Sequence, residues 1–388
     1  MSTGLPRVAL ISYSTKPRGG AVHTLSLADA MVARGMPVHV VALGDPAAGF
    51  FRPVSAPHTI FPAPPRLPTL DERVFASVDA LEAGLREIAA DFEVLHTQDC
   101  ISARAAARVR DAGAPVQVVR TVHHVDDFTT EALIDCQRQA ILEPDRLLVV
   151  SNDWRTRLRT EYGVEAEVIH NGVDPARFEP IPDGVSAKLR RDAGVDDRFV
   201  FLAVGGIEPR KGSIFLFQAM AQLAHELPRP PALVIVGGHS FQDYTLYRDA
   251  ALDMLGELGL QIGRDVIRVG TVSDETLHHW YRAADALAFP SLKEGWGLVV
   301  LEAMSADLPV VASDIPVLRE YLTDGVDAVL TSAGDAANLA KGMRTVVEDA
   351  ALRERLTAGG REVVRRFTWD RAAAEHERVY RSLMPGQA

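Results

Sequence analysis

The chain has 388 residues, too many for one ordinary hydrophobic core and suited to two domains of about 150–200 residues each. It is 47% hydrophobic with a net charge of -11; the first 190 residues carry -4 and the remainder -7. Neither half is basic, so general nucleic-acid binding is disfavoured. No apolar run approaches the roughly 18–20 residues of a membrane span. The first one, Val8 to Ile11, is too short for the core of a signal peptide. Two cysteines, Cys100 and Cys136, make neither a disulfide framework nor a metal quartet. The expectation is a cytoplasmic protein, with peripheral membrane association as the second option.

Strand-like runs alternate with helical patterns along the whole chain, which argues for parallel α/β sheets. Residues 7–13 read as a strand, followed by a Gly-Gly loop and a helix over about 22–34. Residues 37–43 are a second strand. The proline-rich stretch 46–70 reads as a long surface loop, and 71–90 as helix. Short buried strands are expected at 94–96, 116–122, 147–151 and 168–170. Residues 171–198, with Asn-Gly, three prolines and a charged helical piece, read as an interdomain connection. A second series of strands is expected at 199–204, 232–236, 266–269, 286–289, 310–311 and 328–330. The tail 337–383 is helical, with Phe367-Thr-Trp-Asp370 breaking it. The fold expected is α/β, with two Rossmann-like domains facing each other across a cleft, where open sheets of this kind usually bind ligands.

Four constellations carry chemistry. In PRGGAVHTLSLADAM, residues 17–31, Gly19 and Gly20 stand between the first strand and helix. There, backbone N–H groups can approach an anion, though an ordinary turn explains them as well. The G-x-G-x-x-G dinucleotide fingerprint is absent. In VGGIEPRKG, residues 204–212, Arg210 and Lys211 precede a helix, a place to hold a diphosphate by charge-assisted bonds. The chain has only five lysines, so the position is worth attention beside the plainer reading of two solvated cations. In TVHHVDDF, residues 121–128, His123 ends a strand on the functional edge of a sheet, while His124 reads as structural. A metal is conceivable there, but no second cluster has ligand spacing. HTQD, residues 96–99, either lines the cleft or closes a strand.

The fourth constellation is SLKEGWGLVVLEAM, residues 291–304. Gly295 and Gly297 free backbone N–H groups as a helix begins near Leu298. Glu294 precedes that helix, and Glu302 interrupts its apolar run. A buried carboxylate is costly unless it is bonded or paired. Glu302 therefore has a structural partner or awaits a ligand.

These residues resemble the retaining glycosyltransferases of family 4, which have the GT-B fold. The resemblance runs over nearly the whole chain, roughly Arg7 to Leu383. Its most specific piece is the E-x7-E pattern from Glu294 to Glu302. NGVD (171–174), VGT (269–271), the early Gly-Gly and the FTWD tail occur in family order. The resemblance implies an N-terminal acceptor-side domain over 1–172 and a nucleotide-sugar domain over 173–370. A last helix at about 371–388 is expected to return to the first domain. It implies a hexose-type sugar moved, with retention and without a metal or other cofactor, from a nucleotide diphosphate sugar to an acceptor hydroxyl. Glu302 would bind the ribose. Glu294 would contact the transferred sugar, helped by the backbone amides of Gly295, Trp296, Gly297 and Leu298. Arg210 and Lys211 would neutralise the diphosphate, with Gly20 facing it from the other domain. Thr271 and Val272 would meet the base, and His123 would stand at the reacting centre. No Asp-x-Asp occurs, in keeping with a metal-free site.

Two positions depart from the family pattern: Gly206 stands where relatives tend to carry Arg, and Asp307 where they tend to carry Gly. Asp307 is expected to tolerate positive φ or to cap its helix. The alternatives are a non-catalytic nucleotide-sugar-binding protein and a GT-B phosphorylase or epimerase. The expected acceptor is a soluble small molecule rather than a lipid, because residues 101–110 carry arginines but no large apolar anchor beyond Ile101.

Overall fold

A computed structural model describes residues 5–238 and 244–384. The chain forms two compact units. One is 1–172 with 368–388; the other is 173–367.

The first unit begins β1 (Val8–Ser12), α1 (Gly19–Ala33), β2 (Val38–Gly44), β3 (His58–Pro62), α2 (Leu70–Ile88), β4 (Val94–Thr97) and α3 (Cys100–Asp111). It continues through β5 (Gln117–Val122), α4 (Glu131–Leu142), β6 (Arg146–Val149), α5 (Asn152–Tyr162) and β7 (Glu167–Val168). All seven strands are parallel, in the order β3-β2-β1-β4-β5-β6-β7. The stretch expected as one long loop at 46–70 thus contains an edge strand. β3 pairs along β2 from Val40↔His58 to Gly44↔Pro62, and its half-exposed side chains hide it from a search for buried apolar runs.

Local chemistry sets the helix starts. Thr69 and Glu72 form a reciprocal capping box on α2, and Asp99 and Ser102 form one on α3. Ser151 caps α5, which ends at Gly163 in the left-handed conformation, φ 68°. Val122, Ile141, Leu147, Val149, Trp154 and Leu158 form part of the packed interior between sheet and helices.

The second unit runs α6 (Val185–Asp192), β8 (Val200–Val204), α7 (Ser213–Glu226), β9 (Ala232–Val236), α8 (Thr245–Glu257), β10 (Val266–Gly270), α9 (Asp274–Ala283) and β11 (Ala286–Phe289). Then come α10 (Leu298–Ser305), β12 (Val310–Ser313), α11 (Pro316–Arg319), β13 (Val329–Thr331), α12 (Ala336–Glu348) and α13 (Ala350–Arg366). Its six parallel strands take the order β10-β9-β8-β11-β12-β13. Phe201, Phe217, Met220, Leu233, Ala286 and Met343 are buried in its core.

Residues 171–198 are not a free connection. The chain leaves the first unit after Gly172, and from Val173 as far as Phe367 it belongs to the second. Arg177 pairs with Asp274, and Arg190 Nη1 lies 3.0 Å from Asp285 Oδ2. The tail breaks at FTWD, where Thr368 caps α14 (Trp369–Ser382). This last helix belongs to the first unit and packs on α1. Residues 385–388, included in the expected last helix, lie outside the described residues.

Candidate functional site

Both sheets reverse strand order between their first and fourth strands, β1 beside β4 and β8 beside β11. Loops leaving such a pair diverge to opposite faces and open a crevice at the carboxyl edge. In the second unit these loops are 205–212 and 290–297, which carry the cations and the first glutamate.

Arg210 and Lys211 end a short 3₁₀ turn, Pro209–Lys211, and Gly212 at φ 67° leads into α7. Lys211 Nζ lies 2.6 Å from Glu294 Oε1, and Arg210 Nη1 lies 3.5 Å from the same oxygen. The Glu294 side chain is 9% exposed and that of Lys211 16%. Burial pushes the Glu294 carboxyl up, but the charges of Lys211 and Arg210 outweigh it and hold it below its ordinary value. Arg210 also pairs with the buried Glu208, Nε to Oε2 at 3.2 Å. The cradle therefore places two cations against two carboxylates.

The turn after Glu294 is built around Trp296, 2% exposed. Its carbonyl accepts from the Tyr321 hydroxyl at 2.9 Å, and its ring lies 4.7 Å from that of Tyr321 and 5.2 Å from that of Phe367. Gly297 at φ 94° caps α10, and a Cβ there would meet the Tyr321 hydroxyl at 2.9 Å. Glycine is thus required where α10 turns its first N–H groups outward. Gly295 and Leu298 flank the same turn.

Glu302 lies one turn further along α10. Its structural partner is Tyr281, a buried side chain of α9 whose hydroxyl donates to Glu302 Oε2 at 2.6 Å. Burial still raises the Glu302 pKa, although the Tyr281 hydrogen bond and the Arg177 charge oppose it. Thr271 and Val272 come just after β10 at the carboxyl edge, where Thr271 lies over Gly238 beyond β9.

At Gly206 a Cβ would stand 2.7 Å from the Gly238 carbonyl oxygen and 2.9 Å from Glu208 Oε1. An arginine does not fit that position without movement. Asp307, at φ 58°, is the one non-glycine residue with positive φ among the described residues. Its carboxylate pairs with Arg282 and Arg361 at 3.2 and 2.7 Å, which compensates part of the backbone cost.

In the first unit, Gly19 and Gly20 are the opening residues of α1 rather than a loop before it, and nothing stands within 4 Å of where their Cβ atoms would lie. His123, half-buried past the end of β5, has Nε2 3.0 Å from Gln98 Oε1. The amide oxygen only accepts, so the ring donates there and its Nδ1 keeps the lone pair. His123 packs edge-on against His23, ring centres 4.6 Å apart, and the His23 Nδ1 donates to Asn171 Oδ1 at 2.9 Å. His96 is structural: its two ring nitrogens bond Tyr380 and Thr121 at 2.6 and 2.8 Å. Desolvation of its ring, with the nearby His124, Arg120 and His376, lowers the pKa of His123 to about 3, and burial lowers that of His376, on α14, to about 4. His124 is exposed, with Asp126 3.4 Å away.

Sequence reasoning missed Tyr281, Glu208, His23 and Asn171. A Trp-Tyr pair inside a polar helix, HHWYRAADA, marks a buried face, but nothing local says that the tyrosine meets a glutamate 21 positions on. Among the described residues, no group of three or more His, Cys, Asp or Glu side chains is arranged to hold a metal ion, and no helix is long and apolar enough to cross a membrane.

Two parallel α/β units with a cation–carboxylate cradle at a switch point define the class of GT-B glycosyltransferases. The family models agree. Residues 17–177 match Glycosyltransferase Family 4, and residues 185–363 match Glycosyl transferases group 1. The chain is similar to a D-inositol 3-phosphate glycosyltransferase of Nocardioides sp., 30% identical over 97% of this chain and 89% of that one. It is 26% identical to an uncharacterised glycosyltransferase of Methanocaldococcus jannaschii, over 97% and 98% of the two chains. Among solved structures it resembles sucrose-phosphate synthase from Thermosynechococcus elongatus, with TM-score 0.80 and 25% identity, covering 97% and 98% of the two chains. The Anabaena protein HepE in complex with UDP and glucose has the same fold, with TM-score 0.80 and 22% identity, covering 97% and 99%. The chain belongs to glycosyltransferase family 4.

Proposed function

We propose that this glycosyltransferase moves a hexose-type sugar, with retention and without a metal, from a nucleotide diphosphate sugar to the hydroxyl of a soluble acceptor. The observation that carries the reading is the Lys211–Glu294–Arg210 cradle at the entry to α10. Two cations beside the free N–H groups of a helix suit a leaving diphosphate, whose charge grows as the sugar departs. In this reading Glu302 accepts from the ribose hydroxyls. Glu294 and the amides of Gly295, Trp296, Gly297 and Leu298 hold the transferred sugar, and Thr271 and Val272 meet the base. Gly20 and His123, on the first unit, serve the diphosphate and the reacting centre. Arg210 and Lys211 supply the charge a metal supplies elsewhere, and the leaving phosphate takes the acceptor proton.

UDP-glucose, bound in an Anabaena HepE structure, is the first donor to try, and D-inositol 3-phosphate, which appears in the names of several relatives, the first acceptor to try. The test is donor turnover with UDP-, GDP-, ADP- and dTDP-sugars in the presence of EDTA, followed by NMR of the product's anomeric proton. An α-linked product from an α-linked donor is expected. An inverted product removes the retaining mechanism, activity restored only by a divalent ion removes metal independence, and binding without turnover leaves a nucleotide-sugar-binding protein.

A further inference from the structure

Glu302 has a partner with no part in the donor contacts proposed for this enzyme. Tyr281 is 1% exposed, and its hydroxyl is the only donor to the Glu302 carboxylate among the described side chains. The ring is held from the far side. Phe178 meets it edge-on at 5.7 Å and 79°. The short turn carrying Phe178, Pro175–Phe178, and the residue after it are fastened to α9 at three points. Arg177 pairs with Asp274, Arg282 donates to the Phe178 carbonyl, and His278 Nε2 donates to the Glu179 carbonyl at 3.1 Å. One segment of the chain thus fixes the phenol, and the phenol fixes one oxygen of the carboxylate.

We propose that Tyr281 is a positioning residue for the nucleotide: it engages Glu302 Oε2 from the protein side and presents the rest of the carboxylate to the vicinal hydroxyls of a nucleoside diphosphate. This rests on the assignment of Glu302 to the ribose. A carboxylate offers about four lone-pair sites and no donor. The phenol uses one, which leaves acceptors for two hydroxyls. A protonated Glu302 would present an O–H in place of an acceptor. The groups that face it are Tyr281 and Asp274 from α9 and Arg177 from the turn before α6; β11 and β12 contribute no titratable side chain, and α13 directs Arg361 to Asp307. Burial pushes the Glu302 carboxyl up, and the Tyr281 hydrogen bond is the largest influence keeping it ionised.

The test is calorimetry from pH 5 to 8 on wild type, Tyr281→Phe, Glu302→Gln and the double variant. The probe is whichever of UDP, GDP, ADP and dTDP binds wild type best. Tyr281→Phe keeps the ring, so the fold is retained. Its affinity at pH 7 is expected to fall about tenfold, and the pH at which affinity is lost on acidification to move upward. The double variant should bind no more weakly than Glu302→Gln alone, because Tyr281 acts through that carboxylate. Unchanged affinity and an unchanged acid limb in Tyr281→Phe, beside a loss in Glu302→Gln, overturn the positioning role and leave the ribose assignment standing. So does a double variant weakened by both losses. Unchanged affinity in Glu302→Gln overturns the ribose assignment itself. If Tyr281→Phe cannot be purified, Phe178→Leu loosens the same ring without touching either oxygen. A smaller upward movement of the acid limb supports the proposal, and its absence refutes it.

Discussion

Lys211 Nζ and Glu294 Oε1 lie 2.6 Å apart, so the cation proposed to meet a diphosphate is already engaged by a carboxylate of the same protein. Lys211→Ala removes the nearer cation from the buried Glu294 and leaves the longer Arg210 contact, and breaking such a pair costs about 3–5 kcal/mol. A lower melting temperature and a larger loss of turnover are expected. The pH dependence has a definite sign. The folded pKa of Glu294 lies below its ordinary value of 4.5, so its contribution is present above pH 4.5 and is lost as pH falls through the depressed value. Melting curves of wild type and Lys211→Ala should therefore converge in acid.

Glu302 has the opposite sign. Its folded pKa is raised, so the stability linked to it is complete below 4.5 and declines as pH rises through the folded value. Glu302→Gln should melt at or above the wild-type temperature at pH 7 and lose that advantage near pH 4. The same variant should bind nucleoside diphosphate more weakly. A lower melting temperature at pH 7 with intact nucleotide affinity would mean that the carboxylate is purely structural.

The pKa of His123 is lowered to about 3, first by desolvation of its ring and then by the neighbouring His124, Arg120 and His376. It is neutral throughout the working range and contributes no step to an activity profile between pH 5 and 9. His123→Ala should cut transfer by roughly 10²–10³ while leaving affinity for the bare nucleotide diphosphate unchanged by calorimetry. Lost nucleotide affinity would move the histidine into the donor's own site.

His23, His96, His123 and His376 all have pKa values lowered by burial. For a depressed base, stability is present above the ordinary value of 6.5 and lost as pH falls through the folded value. The loss begins as pH falls below 6.5, where the unfolded chain takes up protons that these buried rings refuse. Urea titrations at pH 7.5 and 5.5 should show the first unit weakening, and His376→Gln should flatten that dependence.

Gly206→Arg installs the residue that the family resemblance leads one to expect there but places a Cβ 2.7 Å from the Gly238 oxygen. The variant should lose about 1–3 kcal/mol of stability. Adding Glu208→Ala should recover only part, because the backbone oxygen remains. Denaturant midpoints of the single and double variants measure the difference.

Strands buried on both faces, such as 232–236 and 286–289, announce themselves as short apolar runs, and the turn around Gly297 announces itself by its glycines. β3 did not, because an edge strand with half-exposed side chains has no such run. The same limit applies within the site. Arg210, Lys211, Glu294 and Glu302 stand out as charges in apolar or glycine-rich surroundings. Tyr281 and Glu208 become visible only when the sheet brings α9 beside α10 and folds the loop after β8 back on itself. Asp307 could be read because positive φ is a property of one residue and its neighbours; the Tyr281–Glu302 bond belongs to two helices.

The return of α14 has a consequence for the order of synthesis. The first unit is encoded mostly by the first 172 residues, yet Tyr380, which completes the hydrogen bonding of buried His96, emerges only after the entire second unit. At ~5–20 residues per second the ribosome takes on the order of ten to forty seconds to cover that interval. Throughout it, the face of α1 that receives α14 and the His96 ring stand uncovered beside a nearly finished sheet. The earliest sheet to form is the last to be sealed. A chain stalled or cut anywhere in 173–367 is therefore left with a complete set of strands and an open apolar flank, the form in which nascent proteins engage chaperones or aggregate.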